Sequence, residues 1–324
     1  MMKPVAGAIF GLMLAAPAMA DPPILSLPID CDLGKTCYLE DYVDLDPGPG
    51  QRDYTCGLKS RDAHRGTDIH LLSFEAMNAG VDVLAAAPGR VAALRDGVPD
   101  RAVTDENRAL IEGRECGNAV RIDHGDGWQT LYCHLKEGSV AVTQGQQVDT
   151  GDVLGEVGLS GLTNAPHIHL GVLKDGNIID PFLPEAKDGD CGGAEDGLWQ
   201  DAPGYDRAGL FTAAFSTGVP EFDAVKSGAA RVTETAPDAP LVLYGHVFYA
   251  QPGDTLTLWA NGPQGEVFRT VIPLDAPQAQ LFRAYGRHAP DGGWPAGDYR
   301  GYVRLDRDGR VIANRHADIS VTAR

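Results

Sequence analysis

Positive charge is scarce in this 324-residue sequence, which has 27 lysines and arginines against 45 aspartates and glutamates and a formal net charge of −18. Nucleic acids and anionic membrane surfaces bind basic protein faces, so the composition argues against both as partners. Long apolar runs are also missing. The stretch from Gly7 to Leu14 is too short to span a bilayer, and no later stretch is long and apolar enough. We therefore expect neither a nucleic-acid-binding protein nor an integral membrane protein.

The first 20 residues have the features of a secretory signal. Lys3 provides the positive start, Gly7 to Leu14 form the apolar stretch, and Ala18-Met19-Ala20 is a small-x-small cleavage site before Asp21. We expect residues 1–20 to be removed and the mature protein to be exported.

A C-x-x-C pair is absent, which weakens the interpretation of the cysteines as a zinc site. All six cysteines follow the signal, and an even number in an exported protein favours disulfides. Six cysteines allow fifteen pairings, so the connectivity is open. A short loop joins Cys31 to Cys37, and Cys116 and Cys133 flank one predicted hairpin, so we favour these two pairs. The remaining pair is then Cys56–Cys191.

The rest of the chain divides into four stretches. Residues 21–50 are an N-terminal extension, residues 51–185 hold the motifs described below, residues 186–204 form a polar linker, and residues 205–324 follow it. Short apolar runs separated by glycine and proline turns predict strands in both long stretches, whereas the acidic residues 98–115 are expected to hold one helical turn or a short helix. We predict an all-β protein, with one β domain over 51–185 and a small β-sandwich-like domain over 205–324.

The motif H-E-x-x-H is absent, so no glutamate is placed as the base of that kind of zinc site. Histidines instead occur in His64-Arg65-Gly66-Thr67-Asp68, in Leu131-Tyr132-Cys133-His134-Leu135 and in Pro166-His167-Ile168-His169. His167 and His169 would point to one face of a strand, and Gly66 would let the chain bend between His64 and Asp68. A catalytic zinc takes three protein ligands and keeps one position for water. The surplus side chains would act on that water or on the substrate.

Each segment alone has an ordinary explanation. A lone H-x-x-x-D commonly marks a solvated ion pair, and His134 after an apolar strand could be a half-buried histidine with satisfied hydrogen bonds. Together, in an exported β domain, the three segments favour a hydrolytic metal site.

The three segments resemble the lysostaphin/LytM-type zinc endopeptidases of peptidoglycan, and the resemblance spans residues 51–185. It includes the glycine-spaced stretch Gly145 to Gly158 and Ser160-Gly161. It implies a LytM-type antiparallel β catalytic domain with an open groove and one zinc ion per chain. Matched to the family's motifs, the metal ligands would be His64, Asp68 and His169, and the catalytic histidines would be His134 and His167.

The resemblance implies a zinc metalloendopeptidase that hydrolyses peptide crosslinks in peptidoglycan, with a zinc-activated water and two assisting histidines. The alternative is a non-catalytic regulator of the same fold that binds and activates another cell-wall hydrolase. A regulatory protein partner could also bind through the C-terminal domain. The cysteines favour the periplasm of a Gram-negative cell, where the bond cut would join D-alanine to diaminopimelate, and secretion from another cell type is the alternative.

Overall fold

The computed structural model describes residues 21–104, 107–186, 190–192 and 197–323. The predicted signal, residues 1–20, lies outside the described residues, and so does part of the predicted linker. Within the described ranges, no helix has the length and apolar character that are needed to cross a membrane.

The first part of the chain is built almost entirely from strands. Its elements in chain order are β1 Cys37–Asp41, β2 Thr67–Leu71, α1 Phe74–Ala79, β3 Asp82–Leu84, β4 Gly89–Arg95, β5 Asn118–Gly125, β6 Trp128–Leu135, β7 Gln147–Val148, β8 Val153–Glu156, β9 His167–Lys174 and β10 Asn177–Ile179. A single 3₁₀ turn, Arg108–Leu110, lies within the acidic stretch 98–115.

The main sheet has eight strands in the order β1-β2-β9-β6-β5-β4-β7, with β10 paired to β9. Alternation along β5 explains how one face becomes the core, since Val120 and Ile122 are buried while Arg121 and Asp123 are exposed. The turn between β5 and β6 lies at the glycine-rich residues 125–127, as the sequence indicates. The strands β2, β9 and β6 are neighbours near the middle of the sheet, and they carry the three histidine segments.

The stretches on either side of residues 51–185 pack onto this sheet. Strand β1 comes from the N-terminal extension and forms the sheet edge beside β2. Leu25 and Trp199 join in a β-bridge, and both are buried in the first core. Trp199 lies within the predicted linker. Because it is buried in the first core, residues 197–200 are part of this first unit rather than a free connection.

The second part of the chain forms two further sheets. Its elements are β11 Gly209–Ser216, α2 Phe222–Ser227, β12 Glu234–Thr235, β13 Leu241–Ala250, β14 Thr255–Gly262, β15 Gly265–Pro273, β16 Gln278–Arg287, β17 Gly297–Arg307 and β18 Arg310–Val321. One sheet has the order β11-β13-β16 and the other β12-β18-β17-β14-β15. The sheets face each other closely, because a Cβ at Gly301 would lie 2.6 Å from Leu243 and 2.9 Å from Phe215. We call this pair of sheets the C-terminal sandwich; the all-β prediction is confirmed.

The C-terminal sandwich contacts the main sheet through β18 and β1. The Tyr38 hydroxyl donates a hydrogen bond to the Asn314 carbonyl, and the Arg315 guanidinium forms an ion pair with Glu40. Glu40 is buried, with 5% of its surface exposed. This ion pair lies within the contact between the sandwich and the edge strand. That residues 205–324 fold independently stays a prediction.

Glu40 should make stability depend on pH. Burial raises the pKa of Glu40 from 4.5 to about 7, although Arg315 beside it favours the anion. The folded protein therefore holds this proton more tightly than the unfolded chain, so the free energy of unfolding should fall as pH rises from 4.5 towards 7. At about 1.4 kcal/mol per pKa unit, the full loss should be on the order of 3 kcal/mol.

Urea unfolding of metal-free protein near pH 5 and near pH 8 checks this expectation. Glu40→Gln cannot ionise, so its free energy of unfolding should rise relative to wild type as pH increases. The exposed Glu234→Gln should follow wild type at both pH values. An unchanged pH dependence in Glu40→Gln would show that this carboxyl does not hold the proton.

All six cysteines are paired in disulfides: Cys31–Cys37, Cys56–Cys191 and Cys116–Cys133. The pairing favoured from the sequence is therefore confirmed. The second bridge spans 135 residues of sequence, and residues 57–190 within it carry every candidate site residue.

Candidate metal centre

Strand register brings the first and third histidine segments together. In the antiparallel pairing of β2 with β9, Asp68 lies opposite His169 and His70 lies opposite His167. Alternate residues of a strand share a face, so the four side chains form two cross-strand pairs on one face of the sheet. The two-residue spacing in His167-Ile168-His169 and in Asp68-Ile69-His70 therefore places both members of each motif on the same face.

Gly66 is needed because the backbone at this position lies very close to β9, rather than because the chain bends there. A Cβ at Gly66 would lie 2.6 Å from the His169 ring and 2.6 Å from the Leu170 carbonyl oxygen. The sequence-based expectation of a bend at Gly66 is therefore replaced by a steric requirement: no side chain fits between His64 and the strand that carries His169.

His64, Asp68 and His169 surround a common point. Asp68 Oδ1 lies 2.7 Å from His169 Nδ1, Asp68 Oδ2 lies 3.1 Å from His64 Nε2, and the two nitrogens are 3.3 Å apart. Ligand atoms on a tetrahedral zinc are separated by roughly 3–4 Å, which follows from bonds of about 2.0–2.2 Å. The separations between the two nitrogens and between His64 and Asp68 lie in this range, and the pair at 2.7 Å falls just below it.

The orientation of the first histidine suits a ligand. His64 Nδ1 lies 2.7 Å from the Tyr42 carbonyl oxygen, so Nδ1 carries the proton and donates it there. Nε2 then keeps its lone pair and faces Asp68 and His169. A backbone carbonyl that fixes the tautomer in this way is a common support of metal-binding histidines.

A second group of possible ligands, Asp68, His70 and His167, also has its ligand atoms within 4.8 Å of one another. The rings of His70 and His167 are stacked, with centroids 4.4 Å apart and planes inclined by only 12°. Lone pairs that lie in two stacked, parallel rings do not converge on one ion. The rings of His64 and His169 are inclined by 71°, so their lone pairs can converge, and the donor geometry favours the first group.

A β-bulge positions His134. Asn118 pairs with Leu135 and Val120 with Tyr132, so Cys133 and His134 together oppose Ala119 alone. His134 has φ of 65°, a left-handed conformation that is uncommon for a residue other than glycine. The His134 amide donates to the Cys116 carbonyl at 2.9 Å, beside the Cys116–Cys133 disulfide, so this bridge supports the bulge.

His134 and His167 present the same ring nitrogen to the site. His134 Nδ1 donates to the Ser160 carbonyl at 2.8 Å, and His167 Nδ1 donates to the Ala165 carbonyl at 2.9 Å. Their Nε2 atoms therefore keep their lone pairs. His167 Nε2 is buried without a hydrogen-bond partner among the described residues and lies 3.5 Å from Asp68 Oδ2. The His134 and His167 rings are 4.6 Å apart, so both imidazoles border the same space.

The electrostatics keep these two imidazoles neutral. Burial lowers the pKa of His134 well below its ordinary value, and charge on His167 or His169 would lower it further. Burial also lowers the pKa of His167, against the opposing effect of Asp68. Burial alone would raise the pKa of Asp68, but His64, His167 and Arg61 hold it well below the ordinary range. The site at neutral pH thus has one carboxylate and two neutral proton acceptors.

Residues 62–181, which contain all five candidate residues, match the family described as Peptidase family M23. This chain carries an M23 peptidase domain. Cell division protein DipM of Caulobacter vibrioides is 37% identical over 105 residues, which are 32% of this chain and 14% of that protein. The DD-carboxypeptidase/endopeptidase Mpg of Neisseria meningitidis serogroup B is 40% identical over 87 residues, which are 26% of this chain and 19% of that protein. The matches thus span less than a fifth of either relative.

Solved structures related to the M23 domain have low similarity. The catalytic domain of the prophage-encoded M23 protein EnpA from Enterococcus faecalis is 20% identical with a TM-score of 0.33, covering 48% of this chain and 96% of that one. The catalytic domain of lysostaphin from Staphylococcus simulans is 19% identical with a TM-score of 0.28, covering 44% of this chain and 85% of that one.

Sequence reasoning missed Arg61, which lies one residue before the stretch that matches the M23 family. Its guanidinium lies 2.7 Å from Asp68 Oδ2 and also contacts Asp41 of β1. Arg61 therefore bridges a candidate metal ligand and the edge strand, and it keeps Asp68 ionised. Its place three residues before His64 is the only sequence signal, and a lone arginine at that spacing is too common to identify a site.

Proposed function

We propose that this protein is a zinc metalloendopeptidase that hydrolyses peptide crosslinks in peptidoglycan. The observation that supports this most is the convergence of His64 Nε2, Asp68 and His169 Nδ1 on one point, bordered by two neutral imidazoles. Two nitrogens and one carboxylate are the donors that a catalytic zinc takes. The family match over residues 62–181 also supports peptidase activity.

His64, Asp68 and His169 would hold the metal. Zinc bound there supplies a Lewis acid that acidifies a water molecule and polarises the scissile carbonyl. The Tyr42 carbonyl keeps His64 Nε2 free as a donor atom, and Arg61 keeps Asp68 anionic. Together these contacts organise the three donors before the metal binds, which lowers the cost of binding.

His134 and His167 would move the proton. Each has a bare Nε2 at the site, so one of them can accept the proton that the attacking water releases. The imidazolium so formed becomes a hydrogen-bond donor that can stabilise the developing oxyanion. It can then protonate the leaving amine as the carbon–nitrogen bond breaks, which returns the imidazole to its neutral form.

Peptidoglycan is proposed as the substrate on the motif resemblance and on the relatives. Mpg is named as a DD-carboxypeptidase/endopeptidase and DipM as a cell division protein. We propose that the protein acts in the periplasm of a Gram-negative cell, where three disulfides can form and persist. The substrate bond would then be the crosslink between D-alanine and diaminopimelate.

Digestion of purified sacculi tests the proposal. Mass spectrometry should show crosslinked muropeptides converted to uncrosslinked ones by the wild-type protein. A chelator should stop the conversion and added zinc should restore it. Tight zinc binding without any hydrolysis would instead favour the non-catalytic regulator, and the next experiment would ask whether the protein activates a separate hydrolase.

A further inference from the structure

A cleft of about 590 Å³ lies between the first unit, which contains the M23 domain and β1, and the C-terminal sandwich. Its wall on the side of the first unit includes Tyr38, His70 and Ala165, and its wall on the sandwich side includes Arg231 and Asn314. The two parts of the chain therefore build this space jointly, and neither would form it alone.

The cleft adjoins the candidate active site through two residues that contact His167, although none of the five candidate residues lines it. His70, in its wall, stacks on His167 with ring centroids 4.4 Å apart. Ala165, also in the wall, accepts the hydrogen bond from His167 Nδ1. A peptide bound across the proposed metal ligands could therefore extend into the cleft with its next residues.

The charge of the cleft differs from that of the whole protein. Two arginines in its wall are paired with acids, Arg315 with Glu40 and Arg300 with Asp318. Arg231 is exposed and forms no ion pair with any described residue, although its guanidinium donates to the Thr212 hydroxyl at 3.2 Å. Counting described residues, the wall keeps one unpaired positive charge in a chain whose net charge is −18.

Unpartnered polar atoms also occur in this wall. His70 Nε2 and Asn314 Oδ1 are buried and have no hydrogen-bond partner among the described residues. Both residues are only 8% exposed. Buried polar atoms are nearly always hydrogen-bonded in folded proteins, so these two atoms leave the wall with incomplete hydrogen bonding.

We propose that this cleft is a substrate subsite in which Arg231 binds a free carboxylate of the peptide stem. The inference rests on the proposed function and deepens it, because it assigns the C-terminal sandwich a part in substrate recognition. Diaminopimelate and other acidic residues of the stem carry free carboxylates near the crosslink, and a guanidinium binds a carboxylate through paired, charge-assisted hydrogen bonds. The positive cleft thus selects a peptide that the negative surface elsewhere would repel.

Calorimetric titration of chelator-treated protein tests the subsite apart from catalysis. The probes are a synthetic peptide containing D-alanyl-diaminopimelate with free carboxylates and the same peptide with those carboxylates converted to carboxamides. Wild type should bind the carboxylate peptide roughly tenfold more tightly than the carboxamide. Arg231→Gln should remove this preference, and added salt should reduce it in wild type.

Arg287→Gln is the matched control, because Arg287 is exposed on β16, has no ion pair with a described residue and does not line the cleft. It should bind both peptides as wild type does. Equal binding of the two peptides by wild type, no binding of either, or equal loss in both variants would overturn the subsite. A carboxylate preference that depends on Arg231 in a protein without hydrolytic activity would support the subsite and overturn only the proposed reaction.

Discussion

His169→Ala is expected to abolish zinc binding and hydrolysis together. His169 Nδ1 lies 2.7 Å from Asp68 Oδ1 and 3.3 Å from His64 Nε2, so its loss opens one side of the proposed three-donor set. Two remaining donors do not hold zinc in a catalytic geometry. Bound metal stabilises only the folded state, by about 2.7 kcal/mol when its concentration is 100 times the dissociation constant. The variant should therefore also lose the rise in melting temperature that zinc gives to wild type.

Metal analysis after dialysis, a sacculus assay and thermal unfolding with and without zinc measure these three effects. His288→Ala is a suitable control, because His288 is an exposed histidine of the C-terminal sandwich. It should retain zinc, activity and the metal-dependent stabilisation. If His169→Ala keeps stoichiometric zinc while His167→Ala loses it, the roles within H-x-H are reversed.

His134→Ala and His167→Ala are expected to retain zinc and to lose activity by roughly 100-fold or more, the scale of a missing proton-transfer or oxyanion group. Neither side chain belongs to the donor set, and each offers a bare Nε2 at its border. The contrast between His167 and His169, two residues apart on one strand, is the sharpest test of the assignment. Zinc content and hydrolysis rates measured on the same preparations decide it.

His134 requires a second variant, because its φ of 65° makes alanine strained at that position. Asparagine tolerates the left-handed conformation better, so His134→Asn separates loss of the imidazole from loss of the bulge. Both variants should retain zinc and lose activity to the same extent. Full activity in His134→Asn would contradict a mechanism that uses two histidines.

The sequence predicts that the segments carrying His64, Asp68 and His169 come together, because the spacing of these residues follows the two-residue period of a strand. H-x-H places two side chains on one strand face, and H-x-G-x-D precedes a second strand with the same property. The family resemblance supplies the ligand roles, and these stay predictions until metal binding is measured. The position of His134 could not be predicted, since the bulge depends on strand pairing with β5 and on a disulfide to Cys116.

Other features were missed because they depend on contacts between distant residues. Strands β11 and β16 have weak alternation, and the glycine and alanines within them do not favour strands. They form because β13 lies between them and pairs with both. The ion pair between Glu40 and Arg315 joins residues far apart in sequence, and no pattern at either position indicates the other.

The Cys56–Cys191 bridge closes residues 56–191 into a covalent ring that contains the whole M23 domain. Every candidate metal ligand and catalytic histidine lies on this ring, whereas the C-terminal sandwich is attached to it by a single length of chain beyond Cys191. One proteolytic cut inside residues 57–190 would leave both fragments joined, and would be visible on a gel only after reduction. One cut between Cys191 and the sandwich would leave the sandwich held only by non-covalent contacts, without opening the ring. Trimming by another protease could therefore remove the Arg231 wall of the cleft while all five candidate side chains stay on one closed loop.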